Sequence, residues 1–262
     1  MITINIDPVI VHFGHFALRW YGVIVTASIA LGVHIASREA MRKGLRPADF
    51  QEAVLWVLGA GLVGARLFHV IDHWPHEYAS DPLRSLYIWE GGLAIWGGVV
   101  GGLLALAAFA WQRKLSLGRL ADAGAPGLVL AQAVGRLACV ITGDAMGPPT
   151  DGPIGFAYVN PGAMVPQRGV FYTPMPVYKL VVNLVIFALL WRLRRRRWPD
   201  GGLFPVYLIL YSLERFFLAF VSSYQIMAFG LTQSQLVALV TLAIAGPLGV
   251  RMLLRSGVLA AT

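Results

Sequence analysis

Seven apolar stretches divide this chain, at about residues 18–37, 51–71, 91–111, 122–142, 175–191, 204–222 and 233–253. Each is close to the ~20 residues that carry an α-helix across the ~30 Å hydrocarbon core of a bilayer. In lipid, every backbone N–H and C=O must be satisfied by the protein itself, and a run of this length does so as a helix. Charged residues are only 13% of the 262 and hydrophobic ones 57%, against the roughly 25% charge of an ordinary soluble domain. The expectation is an all-α polytopic membrane protein, a single domain over residues 1–262 with seven transmembrane helices. The longest connection, about 143–174, is rich in Gly and Pro and reads as an ordered loop or small head. No positively charged region or small-residue cleavage site precedes the first span, so no removable signal peptide is expected.

Lysine and arginine set the orientation. Arg38, Arg42, Lys43 and Arg46 follow the first span, and Arg113, Lys114 and Arg119 follow the third. Arg192 and the run Arg194–Arg197 follow the fifth, and Arg251 and Arg255 close the chain. The alternate loops carry only Arg84 and Arg168, beside Asp72, Glu77, Asp81, Glu90, Asp144 and Asp151. Positive charge collects on the cytoplasmic side, which predicts an N-terminus outside, a C-terminus inside and an odd number of spans. The net charge of +8 is thereby read as a topology signal, and no nucleic-acid partner is expected. The single cysteine, Cys139, leaves no disulfide framework or zinc cluster, and no metal or cofactor is expected.

Three arginines fall inside spans: Arg66, Arg136 and Arg215. A charge at bilayer depth costs at least about 2.5–3.5 kcal/mol, so it faces a cavity, a partner or a ligand. Their spans all run outward. At ~1.5 Å per residue they lie roughly 8, 9 and 10 Å below the outer ends, one shared depth in the outer leaflet. Tyr21 and Trp96 fall at a similar or slightly shallower level. Few acids are near: Glu214 points about 100° away from Arg215 on its helix, and Asp144 and Glu90 belong to the outer rim. Guanidinium groups grip phosphate in a bidentate fork, so the pattern suggests a pocket for an anionic lipid headgroup. The competing reading is that each arginine snorkels or pairs structurally. The glycine-rich stretch 91–102, GGLAIWGGVVGG, suits close approach of either another helix or a lipid chain.

A resemblance emerges from the motifs. Ala121-Asp122, Ala125-Pro126-Gly127, Gln132, Gly135-Arg136-Leu137 and Gly143-Asp144-Ala145-Met146-Gly147 together resemble the signature of the prolipoprotein diacylglyceryl transferase family. Phe13-Gly14 with Leu18-Arg19-Trp20-Tyr21-Gly22, Gly64-Ala65-Arg66-Leu67, Gly91-Gly92 with Trp96-Gly97-Gly98, and Arg215-Phe216 are similar to further family segments in the same order. Several polar positions differ. Trp96 stands for the family's histidine, Cys139 for an asparagine and Asp144 for a glutamate. Lys179 ends the segment where the family has a glutamate, and Ala219 and Ser222 replace a glutamate and an arginine.

The resemblance implies an enzyme of the bacterial cytoplasmic (inner) membrane, working at the outer leaflet. It would move the diacylglyceryl group of phosphatidylglycerol to the lipobox cysteine of a prolipoprotein signal peptide, with release of glycerol phosphate. The attacking thiol belongs to the substrate, and the enzyme's task is to stabilise a phosphate leaving group. On this reading Arg136 holds the phosphate and Arg215 stabilises the leaving group. Asp144 positions the glycerol hydroxyls or polarises the thiol. Arg66 is a third ligand or a brace, Tyr21 reaches the headgroup, and Trp96, Gly97 and Gly98 line the lipid. Asp144 and His69 are the candidate bases, Cys139 a small filler, and Asp122 a helix cap. The alternatives are a lipid-handling relative that has lost catalysis, and a transporter, which the lack of an inverted repeat disfavours.

Overall fold

The computed structural model describes residues 1–14, 16–88 and 91–256. Among them run seven long α-helices: α1 (Trp20–Arg42), α2 (Pro47–Asp72), α3 (Ile95–Gln112), α4 (Leu117–Thr142), α5 (Met175–Leu193), α6 (Leu203–Ala219) and α7 (Gln233–Ser256). Six of them, all but α6, are long and apolar enough to cross a membrane, and the chain is a polytopic membrane protein. Glu90, expected at the outer rim, lies outside the described residues.

Three helix starts, those of α2, α3 and α4, lie four or five residues from the hydropathy reading, and the last two have a plain local reason. The third span was expected from residue 91, but α3 begins at Ile95. Gly91 and Gly92 hold φ of +92° and +73°, a left-handed backbone that no right-handed helix contains. The fourth was expected from residue 122, but α4 begins at Leu117. The Ser116 hydroxyl accepts the Arg119 N–H at 3.2 Å and so caps that earlier start.

That cap changes the role of Asp122, which had been expected to cap its own helix. Already one turn inside α4, its carboxylate instead caps α6. Oδ2 accepts the Gly201 N–H at 3.0 Å, and Oδ1 accepts those of Leu203 and Phe204 at 2.9 and 2.8 Å. A helix start leaves such donors without partners in the helix itself, and a carboxylate there also meets the positive end of the helix dipole. Asp122→Ala should therefore cost about 2 kcal/mol. The melting temperature in detergent should fall by several degrees while activity per folded molecule stays near wild type.

The residues group into two compact units. One comprises residues 1–36 and everything from 121 onward. In it α1 and α4 approach backbone to backbone. A Cβ on Gly32 would meet the Gly127 carbonyl oxygen at 2.7 Å, and one on Gly127 would overlap the Gly32 carbonyl oxygen. Next to this contact, Ala125 and Val129 of α4, Ile186 and Leu190 of α5, and Leu203 and Tyr207 of α6 form a buried core.

A small β structure sits at one end of this unit, and it gives the 143–174 connection more order than its composition announces. Strand β1 (Ile2–Ile4) pairs in parallel with β4 (Phe156–Tyr158), and β4 pairs antiparallel with β5 (Phe171–Tyr172). The chain's first residues are thus stitched to the head. Strands β2 (Val9–Phe13) and β3 (Phe16–Arg19) form a hairpin leading into α1, and β6 (Ile226–Ala228) and β7 (Leu231–Thr232) a second one leading into α7.

The other unit, residues 37–120, is built on α2 and α3. Their glycines are spent on each other. A Cβ on Gly97 would overlap the Gly64 carbonyl oxygen, one on Gly64 the Gly97 carbonyl oxygen, and one on Gly101 the Ala60 carbonyl oxygen. A Cβ on Gly98 would also face α2, 3.5 Å from the Gly61 carbonyl oxygen. Of the two uses open to the glycine-rich stretch, helix packing is the one these contacts serve. After α2 the chain makes a π-helical turn (Trp74–Tyr78) and a 3₁₀ turn (Pro82–Leu86) before reaching α3.

Candidate active site

Within the first unit, α4 carries the central pair of residues. One helical turn separates Arg136 from Cys139, and the Arg136 guanidinium interacts with the Cys139 thiol. That thiol also donates to Asp144 Oδ2 at 3.8 Å. Tyr21, at the start of α1, brings its phenol within the fields of Cys139, Asp144 and Arg136. Four residues drawn from α1, α4 and the turn after α4 thereby face one another.

The turn holding Asp144 is firmly fixed. Gly143 and Ala145 flank it with φ of +78° and +55°, and the second is a left-handed conformation that costs a residue with a side chain. The head holds it in place. Tyr158 donates its hydroxyl to the Val140 carbonyl at 2.6 Å, the Met164 N–H bonds the Thr142 carbonyl at 2.8 Å, and the Gly147 N–H bonds the Thr173 carbonyl at 2.9 Å. Burial pushes the Tyr158 phenol well above its ordinary value, which keeps it a neutral donor.

Helices α5 and α6 bring a second group of charges. Lys179, only 2% exposed, donates to the Tyr224 hydroxyl at 2.8 Å. The Lys179 ammonium and the Arg215 guanidinium lie 5.0 and 5.8 Å from the centre of the Tyr224 ring. Burial alone would push the Tyr224 phenol up. The hydrogen bond and charge of Lys179, joined by Arg215, outweigh it and hold the phenol below its ordinary value. Glu214 is 5% exposed, and neither carboxylate oxygen finds a hydrogen-bond partner among the described residues.

The two groups share neighbours. Arg136 and Arg215 both act on the Tyr211 phenol, and Arg215, Lys179 and Arg136 all act on the Glu214 carboxylate. The charges of the α4 and α6 guanidinium groups therefore reach the same two side chains. Glu214 leaves the helix ~100° from Arg215: its carboxylate makes no hydrogen bond to either guanidinium among the described residues, although the charges of Arg215, Lys179 and Arg136 all reach it.

The profile of the prolipoprotein diacylglyceryl transferase family matches residues 8–250. The chain belongs to this family. It is 37% identical over 246 residues to the phosphatidylglycerol–prolipoprotein diacylglyceryl transferase of Symbiobacterium thermophilum, covering 92% of this chain and 90% of that one. The enzymes of the same name from Halalkalibacterium halodurans and Geobacillus kaustophilus are 36% and 35% identical. Those matches cover 81% and 90% of this chain, and 74% and 88% of theirs.

Family membership does not give every motif arginine the same task. Arg66, in the second unit, is 8% exposed. Its Nε donates to the Ser85 carbonyl at 2.8 Å. Nη1 donates to those of Gly91 and Gly92 at 2.6 and 3.1 Å, and Nη2 to those of Arg84 and Tyr87 at 2.9 and 3.3 Å. A guanidinium has five N–H donors, and backbone oxygens take them all. Of the two roles expected for Arg66, ligand or brace, this is the geometry of a brace. His69, a candidate base, stacks on His73 with ring centres 4.2 Å apart, and its Nε2 lies 3.9 Å from Glu77. The Trp96 indole, at the start of α3, is exposed.

Sequence reasoning singled out Lys179 only as a departure from the motif and did not single out Tyr224 at all. The signal for Lys179 was present: it is an ionisable residue inside a span, and the test that selected the three arginines selects it too. Tyr224 carries no comparable signal, because only the folded chain after α6 brings it to Lys179.

Proposed function

We propose that this chain transfers the diacylglyceryl group of phosphatidylglycerol to the lipobox cysteine of prolipoproteins and releases glycerol phosphate. What supports the assignment is the family match over residues 8–250, together with the charges of Arg136 and Arg215 both reaching Tyr211 and Glu214. Two guanidinium groups in a water-poor site bind a phosphodiester and stabilise the charge that grows on it as the glycerol C–O bond breaks. Arg136 holds the phosphate and Arg215 faces the leaving oxygen. Asp144 and Tyr21, which share the field of Arg136, hold the glycerol hydroxyls. Arg66, Gly97 and Gly98 build the second unit, and the exposed Trp96 faces lipid.

The chain acts in the bacterial cytoplasmic membrane, with seven spans in one domain, its N-terminus outside and its site in the outer leaflet. The 17 residues of α6 rise about 26 Å, enough for the seventh span when the residues after Ala219 complete the crossing. The test is direct. Purified full chain, labelled phosphatidylglycerol and a lipobox peptide should yield a thioether-linked peptide together with glycerol phosphate. Headgroup binding with no thioether would replace the enzyme by a lipid-handling relative.

A further inference from the structure

Tyr224 is the residue whose surroundings the phosphate-binding role leaves unused. We propose that Tyr224 is a catalytic residue of the transfer: its phenolate oxygen, held between Lys179 and Arg215, takes the proton from the attacking thiol of the substrate peptide. The proposal rests on the transfer reading above. In the step, the S–H bond breaks and its proton passes to the phenolate oxygen. The sulfur pair forms the bond to the glycerol carbon of the lipid. The C–O bond to phosphate breaks with its electrons on oxygen, so glycerol phosphate departs carrying one more negative charge than the diester had. The phenol then gives its proton to water.

The geometry selects Tyr224 over its neighbours. The Glu214 carboxylate presents no surface, since both oxygens are buried, so no substrate atom touches it. Lys179 is enclosed as well and acts through the 2.8 Å bond to the Tyr224 hydroxyl. Tyr224 itself is 39% exposed and spans from the buried cations to the surface. The groups facing it are Lys179 from α5 and Arg215 and Tyr211 from α6; the two cations favour a phenolate. Proton affinity points the same way. Ordinary carboxylate and thiol pKa values differ by about 4, those of phenol and thiol by about 1.5, and efficient proton transfer wants a close match. The cations of this site narrow the smaller gap further. Glycerol phosphate is a stable anion and leaves without an acid, so the thiol proton is the one that needs a destination.

The test compares wild type, Tyr224→Phe and Arg136→Ala as purified full chains. Each is assayed from pH 6 to pH 10 with phosphatidylglycerol and a lipobox peptide, then with the same peptide carrying selenocysteine, whose selenol is already ionised at neutral pH. Wild-type kcat should rise with pH along a limb centred below about 10. Tyr224→Phe should lose that limb and fall on the order of 10²-fold in kcat, with KM for the lipid within about twofold. On the selenocysteine peptide it should recover to within a few-fold of wild type. Equal loss on both peptides would mean a structural role and overturn the proposal, as would a wild-type rate and limb in Tyr224→Phe. If wild type forms no thioether, the transfer reading falls and takes the base with it. If Arg136→Ala alone is inactive, only the base falls.

Discussion

Arg136→Ala should slow thioether formation on phosphatidylglycerol severely while leaving the helix bundle intact. The expected loss is on the order of 10²–10³-fold in kcat, the cost of removing one preorganised donor from a developing anion in a water-poor site. The effect is large because the charge on the lipid phosphate grows as the C–O bond breaks, so the lost interaction is stronger in the transition state than in the bound lipid. Lipid binding should weaken less than turnover. Stability should hardly change, for two reasons. Arg136 is only half-buried, and its charge acts on the side chains of Cys139, Tyr21, Tyr211 and Glu214. Arg136→Lys keeps the charge but loses the planar fork, and should recover only part of the rate. Measuring kcat, KM and detergent melting on the same samples separates the outcomes. A variant that turns over normally would remove Arg136 from the reaction, and one that melts early would make it a structural residue.

Helix count was readable because it follows from a one-dimensional rule, apolar run length. Rise per residue put three arginines at one expected depth but did not tell which of them share neighbours: Arg136 and Arg215 both act on Tyr211 and Glu214, while Arg66 is taken up by carbonyl oxygens. What the residues did not disclose depends on backbone geometry or on distant partners. The start of α3 is decided by the left-handed φ of Gly91 and Gly92. Strand β1 is three residues long, and its partner β4 lies some 150 residues away, too short and too far for any local period to mark. Asp122 reads as a cap for its own helix, and only the packing of α4 beside the start of α6 turns it to a different set of N–H groups. Lys179, an ionisable residue inside the fifth span, carried a signal of its own, but its partner Tyr224 lies 45 residues away and is disclosed only by the fold. The role of Arg66 was hidden for a similar reason: sequence motifs name side chains, and its partners are carbonyl oxygens.

Arg66→Lys, conservative on paper, should therefore do structural damage that Arg136→Ala does not. Five carbonyl oxygens converge on the Arg66 guanidinium. Three belong to Arg84, Ser85 and Tyr87, at the end of the 3₁₀ turn; that of Arg84 also accepts the Tyr87 N–H at 3.0 Å. Two belong to Gly91 and Gly92, whose positive φ breaks any local ladder. The guanidinium also lies 5.4 Å from the centre of the Tyr78 ring. An ammonium carries three donors on one atom and cannot fan across five acceptors, so at least two of these bonds are lost. At about 1.5–3 kcal/mol for each lost hydrogen bond to a charged group, the cost is about 3–5 kcal/mol. That is a large part of the 5–15 kcal/mol that holds a typical domain together. The connection from α2 to α3 should open first, seen as faster proteolysis between residues 74 and 94 and a melting temperature lowered by ten degrees or more. Whatever Arg66→Lys remains folded should bind phosphatidylglycerol with near wild-type KM. The opposite pattern, unchanged melting with a raised KM, would make Arg66 a ligand for the lipid phosphate and the carbonyl cage a resting arrangement.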